Sequence, residues 1–168
     1  MPDFDPFDVD PTLSDDKKLI IADVVLAWAR FDALMSQLLS VVFGLDLDTG
    51  AILFGSMGTP AKFTKIIKIY KHHGLSGAAK MKELQTLYLE HVDLRNSICH
   101  AACAGTLRSD PEKIVFAPVR AVHGTPGNMT IEVHHVDSIR AAAQFADRNG
   151  DEINVLIQHF LEVRGNAN

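Results

Sequence analysis

Between Ser14 and Gly44 the chain keeps an unbroken helical pattern of about 30 residues, or roughly eight turns, and that run limits the fold more than any other feature. Ser14-Asp15-Asp16 supplies a capping hydroxyl and negative charge where the helix starts, and Gly44 ends it. At about 100° per residue, Ile20, Val24, Phe31, Met35, Leu38 and Val42 share one arc, which Ile21, Trp28 and Leu39 widen. So broad an arc predicts a helix buried on more than one side.

The rest reads as further helices and one hairpin. Residues 1–13 form an N-terminal arm, with three prolines and Asp alternating with Phe or Val, that docks through Phe4 and Phe7. Residues 48–57 predict a short helix, and Thr59-Pro60 caps a third over 61–73 that Gly74 ends. A long fourth helix opens at Ser76 or Gly77 and runs through Cys103 to a stop at Gly105. Residues 114–122 and 129–136 are rich in β-branched residues and flank the turn-forming segment 123–128, so they predict a β-hairpin, with Pro118 marking an edge strand. From Ser138 the helical phase survives passage across Asn149-Gly150, which predicts one last helix with a small residue at a close contact. The expected fold is mainly all-α: an antiparallel bundle of about five helices, with a β-hairpin at about 113–136 inserted before the last. With 168 residues there is room for one such domain, over 14–164.

Composition narrows the function classes. Hydrophobic residues make up 47% and charged residues 22%, ordinary globular usage. No apolar stretch reaches the roughly 18 residues of a membrane span, and the start Met1-Pro2-Asp3-Phe4-Asp5 is acidic where a secretory signal is basic, so no membrane partner is expected and the cytoplasm is the default location. Cys99 and Cys103, four residues apart in a helical pattern, build no disulfide framework. The formal net charge of -5 requires a local basic patch for any RNA. Lys62, Lys65, Lys68 and Lys71 recur every three residues on the third helix, either as a solvated face or as a stripe along an RNA backbone. His72-His73 and His134-His135 read as surface pairs. A metal site from Cys99, Cys103 and His91 or His100 lacks a second ligand cluster, and there is no Gly-rich phosphate loop, so no metal or cofactor is expected.

Arg95 stands out on the fourth helix. Met81, Leu84, Tyr88, Val92, Cys99 and Ala102 all fall within about 60° of it, the middle of the apolar face. A buried guanidinium without a partner is costly, and Asp32, at the edge of the first helix's arc between Val25, Trp28 and Leu39, is the expected one. Such a pair either fixes helix register or supports a functional cleft.

The run Arg95-Asn96-Ser97-Ile98-Cys99-His100 resembles the motif of the HEPN superfamily, an arginine separated by four to six residues from a histidine near the end of a long helix. The placement agrees over residues 14–105: a long first helix with Trp28 and Asp32, a helical hairpin, then the motif helix. The resemblance implies a homodimeric endoribonuclease that needs no metal. His100 would move protons, Arg95 would stabilise phosphate charge, Asn96 would orient His100 or bind phosphate, and the ribose 2′-hydroxyl would attack phosphorus. It also implies a toxin or defence role, with an antitoxin protein as partner. On a helical wheel Asn96 and His100 lie about 40° apart but Arg95 and His100 about 140°, so the arginine of one copy is expected to meet the histidine of the other. Ala101, Ala102, Ala104 and Gly105 would permit close helix approach at that interface, or tight packing within one subunit. The alternatives are a catalytically silent dimer of the same kind that binds nucleotide, RNA or protein, and an unrelated helical scaffold.

Overall fold

A computed structural model describes residues 8–118 and 131–165. In chain order they form strand β1 (Val9–Asp10), helices α1 (Asp15–Phe43), α2 (Leu47–Phe54), α3 (Thr59–His72) and α4 (Ala78–His100), strands β2 (Ala101–Leu107), β3 (Lys113–Pro118) and β4 (Glu132–His135), and helix α5 (Val136–Gly165). The chain thus has the expected mainly helical fold of five helices, with a small sheet whose last strand leads straight into the last helix. Its residues cluster into two units, one drawn from 8–26, 91–118 and 131–144, the other from 27–90 and 145–165. Among the described residues no helix is long and apolar enough to cross a membrane.

In the second unit the helix ends follow the local chemistry. Gly44, at φ 79°, and Gly74, at φ 63°, take the left-handed conformation that glycine adopts freely. Around each, two backbone bonds close the helix: Leu45 N to Ser40 O (3.0 Å) with Gly44 N to Val41 O (3.0 Å), and Leu75 N to Tyr70 O (2.8 Å) with Gly74 N to Lys71 O (3.4 Å). Asp46 caps α2, its Oδ1 accepting from Thr49 N at 2.8 Å and its Oδ2 from Thr49 Oγ1 at 2.8 Å. Within the core, aromatic rings pack on one another: Trp28 and Tyr88 rings lie 5.3 Å apart, Phe63 and Tyr88 5.4 Å, Phe31 and Phe145 6.0 Å. At Gly50, a Cβ would fall 1.8 Å from Ser40 Oγ, so only glycine lets α2 lie this close to α1. The last helix runs unbroken through Asn149-Gly150, and Gly150 is buried, with an added Cβ meeting Leu34 Cδ1 at 3.5 Å.

The first unit holds an antiparallel sheet in the order β1-β2-β3-β4. Here two expectations are corrected. Helix α4 stops at His100 rather than Gly105, and Ala101, Ala102, Cys103, Ala104 and Gly105 belong to β2. Alanine favours a helix in isolation, but here the backbone bonds are made with β3, in the register Ala101↔Pro118, Cys103↔Phe116 and Thr106↔Ile114. The small residues therefore lie in a strand and offer no helix surface for a dimer. Second, β3 is not an edge: it lies between β2 and β4, and Pro118, being its last residue, costs the ladder little. Within the arm, Val9 and Asp10 form β1 and pair with Leu107 and Thr106. Its expected anchors Phe4 and Phe7, and the hairpin turn at 123–128, lie outside the described residues. The expected hairpin partners do pair, with Ile114↔His134 and Phe116↔Glu132.

Gly105 is fixed by this sheet. It has φ 127° and sits where the register shifts after Cys103, and a Cβ there would stand 1.9 Å from Asp10 O. The approach of β1 leaves space only for hydrogen.

Candidate functional site

The motif occupies the last turns of α4, in the first unit. Arg95 is half-buried, while Asn96 and His100 are exposed. Arg95 Nη1 donates to Asn96 Oδ1 at 3.0 Å and lies 3.4 Å from His100 Nε2. Its two hydrogens suffice for both contacts. The expectation that Arg95 and His100 need two copies of the helix is overturned: one chain brings them together. The wheel angle of about 140° is right for the Cα atoms, but an extended arginine spans the rise of about 7.5 Å over five residues and reaches back round the helix.

A guanidinium has donors and no acceptor, so in the Arg95–His100 contact the guanidinium is the donor and His100 Nε2 the acceptor. An exposed imidazole beside a cation can take a proton from a substrate that the cation holds.

Beside it is a cluster that the sequence reading missed. Ser97 is 8% exposed, and its hydroxyl lies 2.9 Å from Asp93 O and in short contact with Glu132 Oε2. The same carboxylate oxygen is 3.2 Å from His134 Nε2. His134 was expected on the surface. It is instead half-buried, with its ring 5.9 Å from Phe116, while His135 is exposed beside Asp137 at 3.5 Å. The alternation of Glu132 and His134 on one strand face was legible. That this face meets Ser97 was not, because the two segments stand 35 residues apart.

The remaining predicted residues lie in the second unit. Asp32, expected opposite Arg95, accepts a hydrogen bond at Oδ1 from Thr59 Oγ1 at 2.5 Å. Lys62, expected with Lys65 and Lys68 in a phosphate-binding stripe, is 3% exposed. Its Nζ donates to Ser36 Oγ at 2.7 Å and to Asp32 O at 3.3 Å. Burial pushes its pKa below the ordinary lysine value, and the Asp32 charge opposes that shift. Lys62 therefore leaves the stripe, whereas Lys65, Lys68 and Lys71 are exposed. The same unit holds a mainly apolar cavity of about 290 Å³, lined by Tyr70, Met81, Leu84, Ile153, Leu156 and Phe160 among others. Among the described residues no group of three or more His, Cys, Asp or Glu side chains is arranged to hold a metal ion. Against known proteins, neither protein-family models, nor curated proteins, nor solved structures give a match to this chain.

Proposed function

We propose that the chain is a HEPN-like endoribonuclease that cleaves RNA without a metal ion and works as a homodimer in the cytoplasm. The observation that carries this reading is the Nη1 group of Arg95, shared between Asn96 Oδ1 and His100 Nε2 at the exposed end of α4. A phosphate approaching there meets a guanidinium already oriented by Asn96, which stabilises the charge that grows on the phosphoryl oxygens. His100 takes the proton of the ribose 2′-hydroxyl as that oxygen attacks phosphorus, and the 5′-oxygen leaves with a proton from a second group. Because one chain already pairs arginine with histidine, the second copy serves to extend the groove that holds RNA. In the toxin role that the resemblance implies, an antitoxin protein would act by covering the Asn96–His100 end.

The test is incubation of the purified protein with mixed RNA in excess chelator, beside Arg95→Ala and His100→Ala variants whose folding is verified by circular dichroism. Each variant is expected to lose about 10²- to 10⁴-fold in cleavage rate. Cleavage unchanged in the variants, or absent from all three proteins, contradicts the proposal. RNA retained without cleavage supports the silent binding dimer instead.

A further inference from the structure

We infer that His134, held by Glu132, is the second proton-transfer group of this site, the acid that protonates the departing 5′-oxygen. The inference rests on the nuclease reading above and names the residue that the reading leaves open.

Two contacts tie the group to the motif helix. Relative to Arg95, the positions of Asn96, His100 and Ser97 on α4 fall at about 100°, 140° and 200°, so His100 stands between the other two on one face. From the Asn96 side, the Arg95 guanidinium folds onto that face and meets His100. On the Ser97 side, the Ser97 hydroxyl touches the Glu132 carboxylate, which in turn meets His134 Nε2. A buried serine with a carboxylate pressed on it ties β4 to the helix face that bears His100. Register adds a second constraint: Glu132 pairs with Phe116 and His134 with Ile114, both buried, so the strand cannot slide without breaking the core.

The two histidines then have opposite partners. His100 faces a cation that only donates, which holds its Nε2 as an acceptor. His134 faces a carboxylate that only accepts, so its Nε2 carries hydrogen and its Nδ1 is the atom left to give or take a proton. A carboxylate beside an imidazole orients the ring. The two histidines thus have different partners on one chain, a guanidinium for His100 and a carboxylate for His134. In the reaction the bond from O2′ to phosphorus forms and the bond from phosphorus to O5′ breaks. As the Arg95 guanidinium turns from His100 to the phosphate, His100 Nε2 gains the 2′-hydroxyl proton, and protonated His134 gives its Nδ1 proton to O5′. The products are a 2′,3′-cyclic phosphate and a 5′-hydroxyl, and proton exchange with water restores both rings.

The test compares two substrates on the full chain in excess chelator: mixed RNA, and uridine 3′-(4-nitrophenyl phosphate), whose leaving group departs without protonation. His134→Ala is expected to slow RNA cleavage by about 10²-fold or more while changing release of 4-nitrophenol by no more than about threefold. His134→Gln, which keeps a donor to Glu132, should behave the same way if the alanine variant folds poorly. Glu132→Gln should give a smaller loss, again on RNA only, and His100→Ala should slow both substrates. Equal slowing of both substrates by the His134 variants makes the residue structural and overturns the inference. So does RNA cleavage at the wild-type rate, with His100→Ala inactive, and that result leaves the nuclease reading standing. A wild-type protein inactive on both substrates removes the reading and the inference together.

Discussion

The two units hold themselves together by different means. In the second, the rings of Trp28, Phe31, Phe63, Tyr88 and Phe145 pack on one another, and its buried polar groups, such as Lys62 on Ser36, are satisfied a short distance away. In the first, the core around Ile114, Phe116 and Ile139 is aliphatic apart from Phe116, and strand register and polar contacts decide the geometry. Aromatic burial is strong and tolerant of direction, so it makes a frame. Hydrogen bonds to charged groups are weaker in sum but directional, so they place side chains at chemical distances, and the candidate site lies where those contacts gather.

If that division is right, substitutions should sort by unit. The largest loss of stability is expected from Trp28→Ala, whose side chain is 1% exposed: about 3–5 kcal/mol by urea denaturation. A loss under about 1 kcal/mol would remove the aromatic frame from the account. Next is Gly105→Ala in the sheet unit. There the left-handed φ and the contact with Asp10 O should cost about 1–3 kcal/mol and, by moving β2 immediately after His100, lower RNA cleavage by more than the stability loss alone explains. Asp46→Ala, which removes the α2 cap, should cost about 1 kcal/mol with cleavage unchanged, as expected for a residue of the frame. The smallest effect is a slope. Burial holds the Lys62 pKa below the ordinary 10.5, so between the folded value and 10.5 the unfolded chain binds more protons than the folded one. The stability linked to Lys62 is therefore complete above 10.5 and is lost as pH falls through the folded value. Urea midpoints measured up to pH 10.5 should rise in the wild type relative to Lys62→Met, and parallel curves would argue that Lys62 is solvated.

What was legible in the sequence is what short-range physics decides. Gly44 and Gly74 end their helices through left-handed caps closed by bonds a few residues long, and the phase across Gly150 carried one helix because spacing alone records it. The pairing of β3 with β4 was legible too, from two β-branched runs on either side of a turn-forming segment. The stretch 101–105 was not, since alanines there favour a helix locally and become a strand only through partners at Phe116 and Pro118. Lys62 looked like part of a stripe because a wheel gives angles on one helix and says nothing of Ser36 on another. The site divides in the same way: Arg95 stood out from its place on the apolar face, and Asn96 and His100 were named from the resemblance to the HEPN motif. Their meeting within one chain depends on arginine's reach, and Glu132 with His134 depends on a contact spanning 35 residues.

The central claim is that one chain carries the complete Arg95–His100 pair, and mixing broken chains tests it most directly. Arg95→Ala and His100→Ala proteins are co-refolded so that copies exchange, and cleavage of mixed RNA is measured in excess chelator beside the wild type. A pair formed within each chain predicts an active wild type, two inactive variants and a mixture no more active than either, because every copy lacks one half of its site. Recovery of cleavage in the mixture would mean that arginine and histidine act across the dimer, against the geometry described here.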